Sequence, residues 1–260
     1  MASGLPYVDV SGWSGPGQPY GLALYAGMGL GALTAVLYGR RRGLSSEDLA
    51  VLLAAAVPAA FFAGHLADVA WYGDDDGGRW RRWTDGHALV GALAAVALVG
   101  LIVAVARRLD RGRVADVLAA GTAVAMAVGR IGCALVHDHL GRHTTSPLGV
   151  DVPRWRLPRE LRDGREPELV RIHDVGLEEL LVGIGLVIIA AVLARRDARP
   201  GRLALVLVTT YAVSRAALDL LRAPVSEPTR LGLTGGQWGA ALALAVVGAV
   251  VVRRLARARA

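Results

Sequence analysis

The sequence is poor in aromatics, nearly lacks cysteine and contains no lysine. Only 5% of its 260 residues are Phe, Trp or Tyr, so the 54% hydrophobic content is carried mainly by Ala, Val and Leu. A single cysteine, Cys133, excludes any intrachain disulfide and the small stapled scaffolds that depend on one. The first 19 residues hold neither Lys nor Arg, so the basic start of a secretory signal peptide is missing. The first apolar run is therefore expected to be an uncleaved anchor.

What is abundant is long apolar sequence. Mean hydropathy is +0.44, and windows the length of a bilayer crossing pick out seven spans, at 20–39, 48–72, 86–106, 114–136, 175–194, 203–221 and 233–252. The expected fold is an all-α integral membrane protein, one domain over 1–260, with Pro58 tolerated inside the second span. Disorder and collagen are excluded by the same composition.

The 29 basic residues against 22 acidic ones give a net charge of +7. In a soluble chain that excess suggests nucleic acid; here its placement gives a simpler cause, and no nucleic-acid partner is expected. Arg40–Arg42, Arg107–Arg113, Arg195–Arg202 and Arg253–Arg259 fall on alternate connections. The positive-inside rule then puts the N-terminus outside and the C-terminus in the cytoplasm. The short connection 73–85 has Asp74, Asp75, Asp76 and Asp85 against Arg79, Arg81 and Arg82. An extracytoplasmic loop at about 137–174 is long and polar, and such loops are usually functional or disordered.

Ionisable residues inside spans are costly and point to function by default. His65 and Asp68 lie in the second span, Arg130 in the fourth, Arg215 and Asp219 in the sixth. With seven spans these fall near the outer leaflet, where Tyr20, His87 and Gln237 open the first, third and seventh. Simpler readings stand beside this one. Arg215 and Asp219, four residues apart, can neutralise each other on one helix face. His65 and Asp68 can be interfacial, and Trp71, Trp80 and Trp83 can form an aromatic belt. Arg130 has no partner three or four residues away on its own helix, so it needs another helix, a lipid phosphate or the interface. Two guanidinium groups near a carboxylate suit a phosphate-bearing substrate, and a phospholipid headgroup is the obvious one at this depth. His87 can accept a proton there. A metal hydrolase built on His65, Asp68, His87, His137, His139 and His143 is one rival. A transporter is another, although its charges belong near the midplane.

The segment Gly129-Arg130-Ile131-Gly132-Cys133-Ala134-Leu135-Val136-His137-Asp138-His139-Leu140-Gly141-Arg142 resembles the signature of the prolipoprotein diacylglyceryl transferases, G-R-x-G-N-F-x-N-x-E-x-x-G-R. Asp138 stands for the signature's Glu, and Cys133 and Val136 replace its two asparagines. Pro19-Tyr20-Gly21-Leu22 looks like W-Y-G-L, and Gly64-His65-Leu66 with Tyr72 is similar to G-R-L-G-Y-V-L-F-Y. Gly86-His87-Ala88-Leu89-Val90-Gly91 looks like H-G-G-L-x-G, with His87 offset by one residue. His173 and Glu179 match the ends of H-P-S-Q-L-Y-E. Tyr211 through Arg222 resembles Y-x-x-x-R-F-x-x-E-F-x-R, and Leu233-Thr234-Gly235-Gly236-Gln237-Trp238 is similar to L-T-M-G-Q-W.

The resemblance implies transfer of a diacylglyceryl group from phosphatidylglycerol to the lipobox cysteine of a prolipoprotein, in the bacterial inner membrane and without a metal or organic cofactor. The implied partners are phosphatidylglycerol, the lipobox segment and membrane lipids. Arg130 and Arg215 would stabilise the phosphate and His87 would activate the thiol. Tyr20 and Asp138 would orient the headgroup or the base, Asp219 would hold Arg215, and Arg142 would guard the loop side. His65 and Gln237 complete the substrate-binding set. Cys133 is expected to pack as a small apolar residue. The two lost asparagines leave an alternative, a member with an altered acceptor or no activity.

Overall fold

A computed structural model describes residues 4–10, 18–73, 78–81, 83, 86–162, 168–196, 199–223 and 227–259. Seven of its helices are long and apolar enough to cross a membrane: α1 (Pro19–Arg41), α2 (Ser46–Tyr72), α3 (Leu89–Ala106), α4 (Arg111–Val136), α5 (Val175–Arg195), α6 (Arg202–Leu218) and α7 (Gly235–Arg259). The protein is thus an all-α membrane protein with a small sheet appended.

The helix starts follow capping chemistry. Ser45 accepts from the backbone N–H of Asp48, Asp110 from that of Arg113, and Asp174 from that of Leu177, which satisfies donors at the starts of α2, α4 and α5. The first residue of α6 follows Gly201, which has no side chain to cap with. Its start is served from another helix: Asp116 of α4, buried, accepts the N–H groups of Gly201 and Ala204, each at 2.8 Å. α2 runs on through Pro58. α3 begins at Leu89 rather than at residue 86, because Gly86 adopts φ +58 and turns the chain before the helix. His87 therefore sits ahead of α3.

Close packing of α1 on α4 holds the centre. A Cβ on Gly31 would lie 2.7 Å from the Gly121 carbonyl, and one on Gly121 would lie 2.6 Å from the Gly31 carbonyl. The two backbones touch, which is how membrane helices associate when burial from water supplies no drive. The buried Leu49, Leu52, Val114, Val117, Leu186 and Leu203 extend this core toward α2, α5 and α6.

The long connection after α4 is folded. Strands β2 (Leu140–His143), β3 (Val150–Pro153) and β4 (Leu169–Asp174) join β1 (Leu5–Pro6) in the order β1-β3-β4-β2, with β1 parallel to β3 and the other pairs antiparallel. Val150, Val152, Leu157, Val170 and Ile172 form its own small core. The 137–174 connection thus carries strands of its own, where the alternation in 150–153 and 169–174 buries every second residue. A hairpin of β5 (Thr229–Arg230) and β6 (Leu233–Thr234) leads into α7. The acidic residues of the 73–85 connection, Asp74–Asp76 and Asp85, lie outside the described residues, as does Arg82.

Gly121→Leu should lower the thermal stability of the detergent-purified protein, since overpacking costs about 1–3 kcal/mol or more. Gly29→Leu is the control, because a Cβ there meets nothing within 4 Å; it should unfold near the wild-type temperature.

Candidate active site

α4 delivers Arg130 two turns before its end, and a left-handed residue, His137 at φ 50, then folds the chain back over that end. The fold-back places His139 against Arg130. Arg130 Nη1 donates to His139 Nε2 at 3.0 Å and to Cys133 Sγ at 3.3 Å, while Nη2 pairs with Glu179 Oε2 at 2.5 Å. Burial, and then the charges of Arg130, Arg222 and Arg215, hold the His139 imidazole well below its ordinary pKa. It is neutral at physiological pH and can accept the guanidinium hydrogen. Asp138 Oδ1 is 3.7 Å from His139 Nδ1. Its carboxyl is pushed up to about 6, first by lost solvation and then by Asp174, against the pull of Arg130.

Glu179, in the first turns of α5 with its side chain 2% exposed, is the centre of the network. Its other oxygen pairs with Arg215 of α6. Arg215 Nη2 also reaches Asp219 Oδ1 at 3.0 Å, and Arg222 Nε meets the same oxygen at 3.0 Å. Arg222 pairs in turn with Glu227. Arg130, Arg215 and Arg222 are thus offset by Glu179, Asp219 and Glu227, as charges held away from water must be. Asp219 takes a further hydrogen bond from the hydroxyl of Thr234. Thr234 is fixed by Gln237, whose side-chain oxygen accepts the Thr234 N–H at 3.1 Å while the Gln237 N–H donates to Thr234 Oγ1 at 3.1 Å. Gln237 therefore acts on the network through Thr234.

A cavity of about 170 Å³ opens beside Arg130. Tyr20, His87, Arg130 and Cys133 line one end, and Leu24, Met28, Val96 and Met126 line its walls further along. From Tyr20 to Met28 is about 12 Å at 1.5 Å per helical residue, so the cavity is elongated, with a polar head and an apolar body. The His87 ring lies 4.7 Å from Phe61 and 5.7 Å from His65. His65 is fully buried, its ring tilted against Trp83 at 4.6 Å, and its Nδ1 lies 3.3 Å from the Gly86 carbonyl. It sets the turn that presents His87, and Trp83 is packed inward rather than serving only as an interface residue.

Several sequence expectations change here. Arg130 and Arg215 do not share the cavity wall: Arg130 lines it, while Arg215 sits behind Glu179. Arg130 does have a partner on its own helix, the Cys133 thiol, so Cys133 is more than an apolar filler. Arg142 donates its Nε–H to the Arg222 carbonyl at 3.2 Å. The loop histidines are dispersed: His137 pairs with Asp174, His139 with Arg130, and His143 lies 3.2 Å from the Leu161 carbonyl. That removes the ligand set of His137, His139 and His143. Glu179 as a bridge, and the Arg222–Glu227 pair, went unread. The available signal was a carboxylate one turn into an apolar span.

A family model described as prolipoprotein diacylglyceryl transferase matches residues 17–253. A Streptomyces coelicolor protein named phosphatidylglycerol–prolipoprotein diacylglyceryl transferase 2 is 30% identical over 237 residues, covering 86% of this chain and 73% of its own length. Relatives bearing the same enzyme name occur in Leifsonia xyli, 26% identical over 91% of this chain and 74% of theirs, and in Clostridioides difficile, 24% identical over 78% and 77%.

Two variants test the network by thermal unfolding. Glu179→Ala leaves Arg130, Arg215 and Arg222 without their shared carboxylate and should lose about 3–5 kcal/mol. Thr234→Val removes one buried hydrogen bond to Asp219 and should lose about 1–3 kcal/mol. Equal and negligible losses would show that the charges are solvated.

Proposed function

The chain belongs to the prolipoprotein diacylglyceryl transferase family, and on that premise we propose that it moves a diacylglyceryl group from phosphatidylglycerol to the lipobox cysteine thiol of a prolipoprotein. The observation that carries this reading is the polar-headed, apolar-walled cavity with Arg130 and His87 at its head. An amphiphile fits such a shape, its phosphate beside Arg130 and its chains along Leu24, Met28 and Met126.

The chemistry needs three things: a thiolate, a held phosphate and a stabilised leaving group. The acceptor thiol gives its proton to His87, and its sulfur forms a bond to the terminal glyceryl carbon. The bond from that carbon to the phosphate oxygen breaks, and glycerol phosphate leaves with the negative charge. Arg130 stabilises that charge, its planar fork suited to two phosphate oxygens. Arg215 acts from behind, keeping Glu179 from neutralising Arg130 completely, and Asp219 holds Arg215. Tyr20 orients the headgroup from the start of α1, and Asp138 orients His139. His65 and Gln237 support His87 and Asp219 respectively. Arg142 fastens the sheet to Arg222.

We infer a multi-pass position in the bacterial inner membrane, with the N-terminus and the 137–174 module outside and the C-terminus in the cytoplasm. Supporting this, the arginine-rich ends are the ones joined by the Arg107 pairs to Glu47 and Asp48 and by the Arg254–Pro200 hydrogen bond. A cysteine substituted for Arg42 should resist a membrane-impermeant maleimide in intact cells and react after permeabilisation; reaction in intact cells reverses the topology.

Arg130→Lys keeps the charge but loses the fork. Transfer per folded molecule should fall roughly tenfold to a hundredfold, the worth of one charge-assisted contact of about 1.5–3 kcal/mol made in the transition state. The wild-type gene should rescue a strain depleted of its own transferase, and the Arg130→Lys gene should rescue it poorly. Undiminished activity in that variant would remove the phosphate role.

A further inference from the structure

Three potential metal ligands converge, Cys133 at an asparagine of the resembled signature, Asp138 at its glutamate and His139 at a position it leaves open. The left-handed turn at His137 folds Asp138 and His139 back over the last turn of α4, so that residues five and six positions beyond Cys133 meet it in space. One ligand atom from each of Cys133, Asp138 and His139 lies within 4.8 Å of the others. Cys133 Sγ and His139 Nε2 already aim at one cationic centre, Arg130 Nη1, at 3.3 and 3.0 Å. Cys133 and Arg130 also line the cavity, which gives a small ion a path in.

We propose that Cys133, Asp138 and His139 bind a thiophilic divalent metal ion of the Zn²⁺ class, which takes the place of the Arg130 guanidinium between the thiol and the imidazole. Thiolate, carboxylate and imidazole are the mixed donor set that zinc accepts, and three protein ligands leave a fourth position open. Bond lengths of about 2.0–2.3 Å put ligand atoms about 3.3–3.8 Å apart in a tetrahedron, so the three need to close by about an ångström. On binding, the Cys133 S–H gives its proton to solvent and the sulfur bonds the metal. Thiolate and carboxylate then balance the two positive charges. Arg130 keeps Glu179 but loses its other two partners.

Binding is separate from the proposed transfer chemistry; only the inhibition expected from it, by disturbing Arg130, rests on that reading. The full-length protein in detergent is titrated with Zn²⁺ and, as a spectroscopic probe, with Co²⁺. We expect one equivalent per chain and a thiolate-to-cobalt charge-transfer band in the near ultraviolet. Cys133→Ser should abolish the band, and His139→Ala should weaken binding by at least about tenfold, the smallest loss common for groups that merely support a ligand. His143→Ala should change neither. Absence of the band in the wild-type protein overturns the proposal by itself, whether or not the variants fold. Binding that persists unchanged in both Cys133→Ser and His139→Ala also overturns it. Zn²⁺ should inhibit transfer reversibly, with recovery on chelation. If transfer is absent altogether, the cobalt spectrum still decides the metal site.

Discussion

A single carboxylate, Glu179, makes the rest of the site possible. Arg130 comes from α4 and Arg215 from α6, and neither could remain charged in a membrane interior without a counter-charge. Glu179, from α5 between them, pairs with Arg130 through one oxygen and with Arg215 through the other, which Arg222 also approaches at 3.9 Å. The arrangement lets one buried carboxylate counter both arginines. It also ties three helices together at a depth where apolar packing alone gives little preference for one partner over another.

The remaining architecture serves that arrangement. Glycine contact between α1 and α4 brings Tyr20 and Arg130 to the same cavity end. Asp116 caps α6 from within α4 and so fixes the far ends of these two helices relative to each other. The β5–β6 hairpin carries Thr234 to Asp219, and the sheet is fastened to the site where Gly141 pairs with Arg222 and Ala223 donates to the Leu140 carbonyl. The hairpin and the sheet therefore help to set the geometry of the buried charge network.

Much of this was legible in the sequence. Seven apolar runs gave seven helices because a bilayer crossing demands about 20 apolar residues and allows few other solutions. Arg130, His87 and Tyr20 stood out because a polar residue in such a run needs a reason. What could not be read was partnership across helices. Glu179 bridges residues of α4 and α6, 49 positions before and 36 after by its numbering, and no local spacing encodes that. Cys133 at i+3 from Arg130 was visible, but a thiol is a weak acceptor and does not announce itself as a partner. The 137–174 sheet was obscured by its short strands and high arginine content, since β2 pairs with a strand nearly thirty residues later and β1 comes from before the first helix.

On the proposed function, the cavity beside Arg130 holds a phosphatidylglycerol molecule whose diacylglyceryl group passes to a thiol. The most direct measurement is mass spectrometry of a lipobox peptide incubated with the purified protein in vesicles of defined lipid. With phosphatidylglycerol present, the peptide should gain the mass of one diacylglyceryl group, attached as a thioether at its cysteine, with glycerol phosphate released in equal amount. Vesicles of phosphatidylethanolamine alone should give none. A well-folded protein that leaves the peptide unmodified in phosphatidylglycerol vesicles would contradict the account.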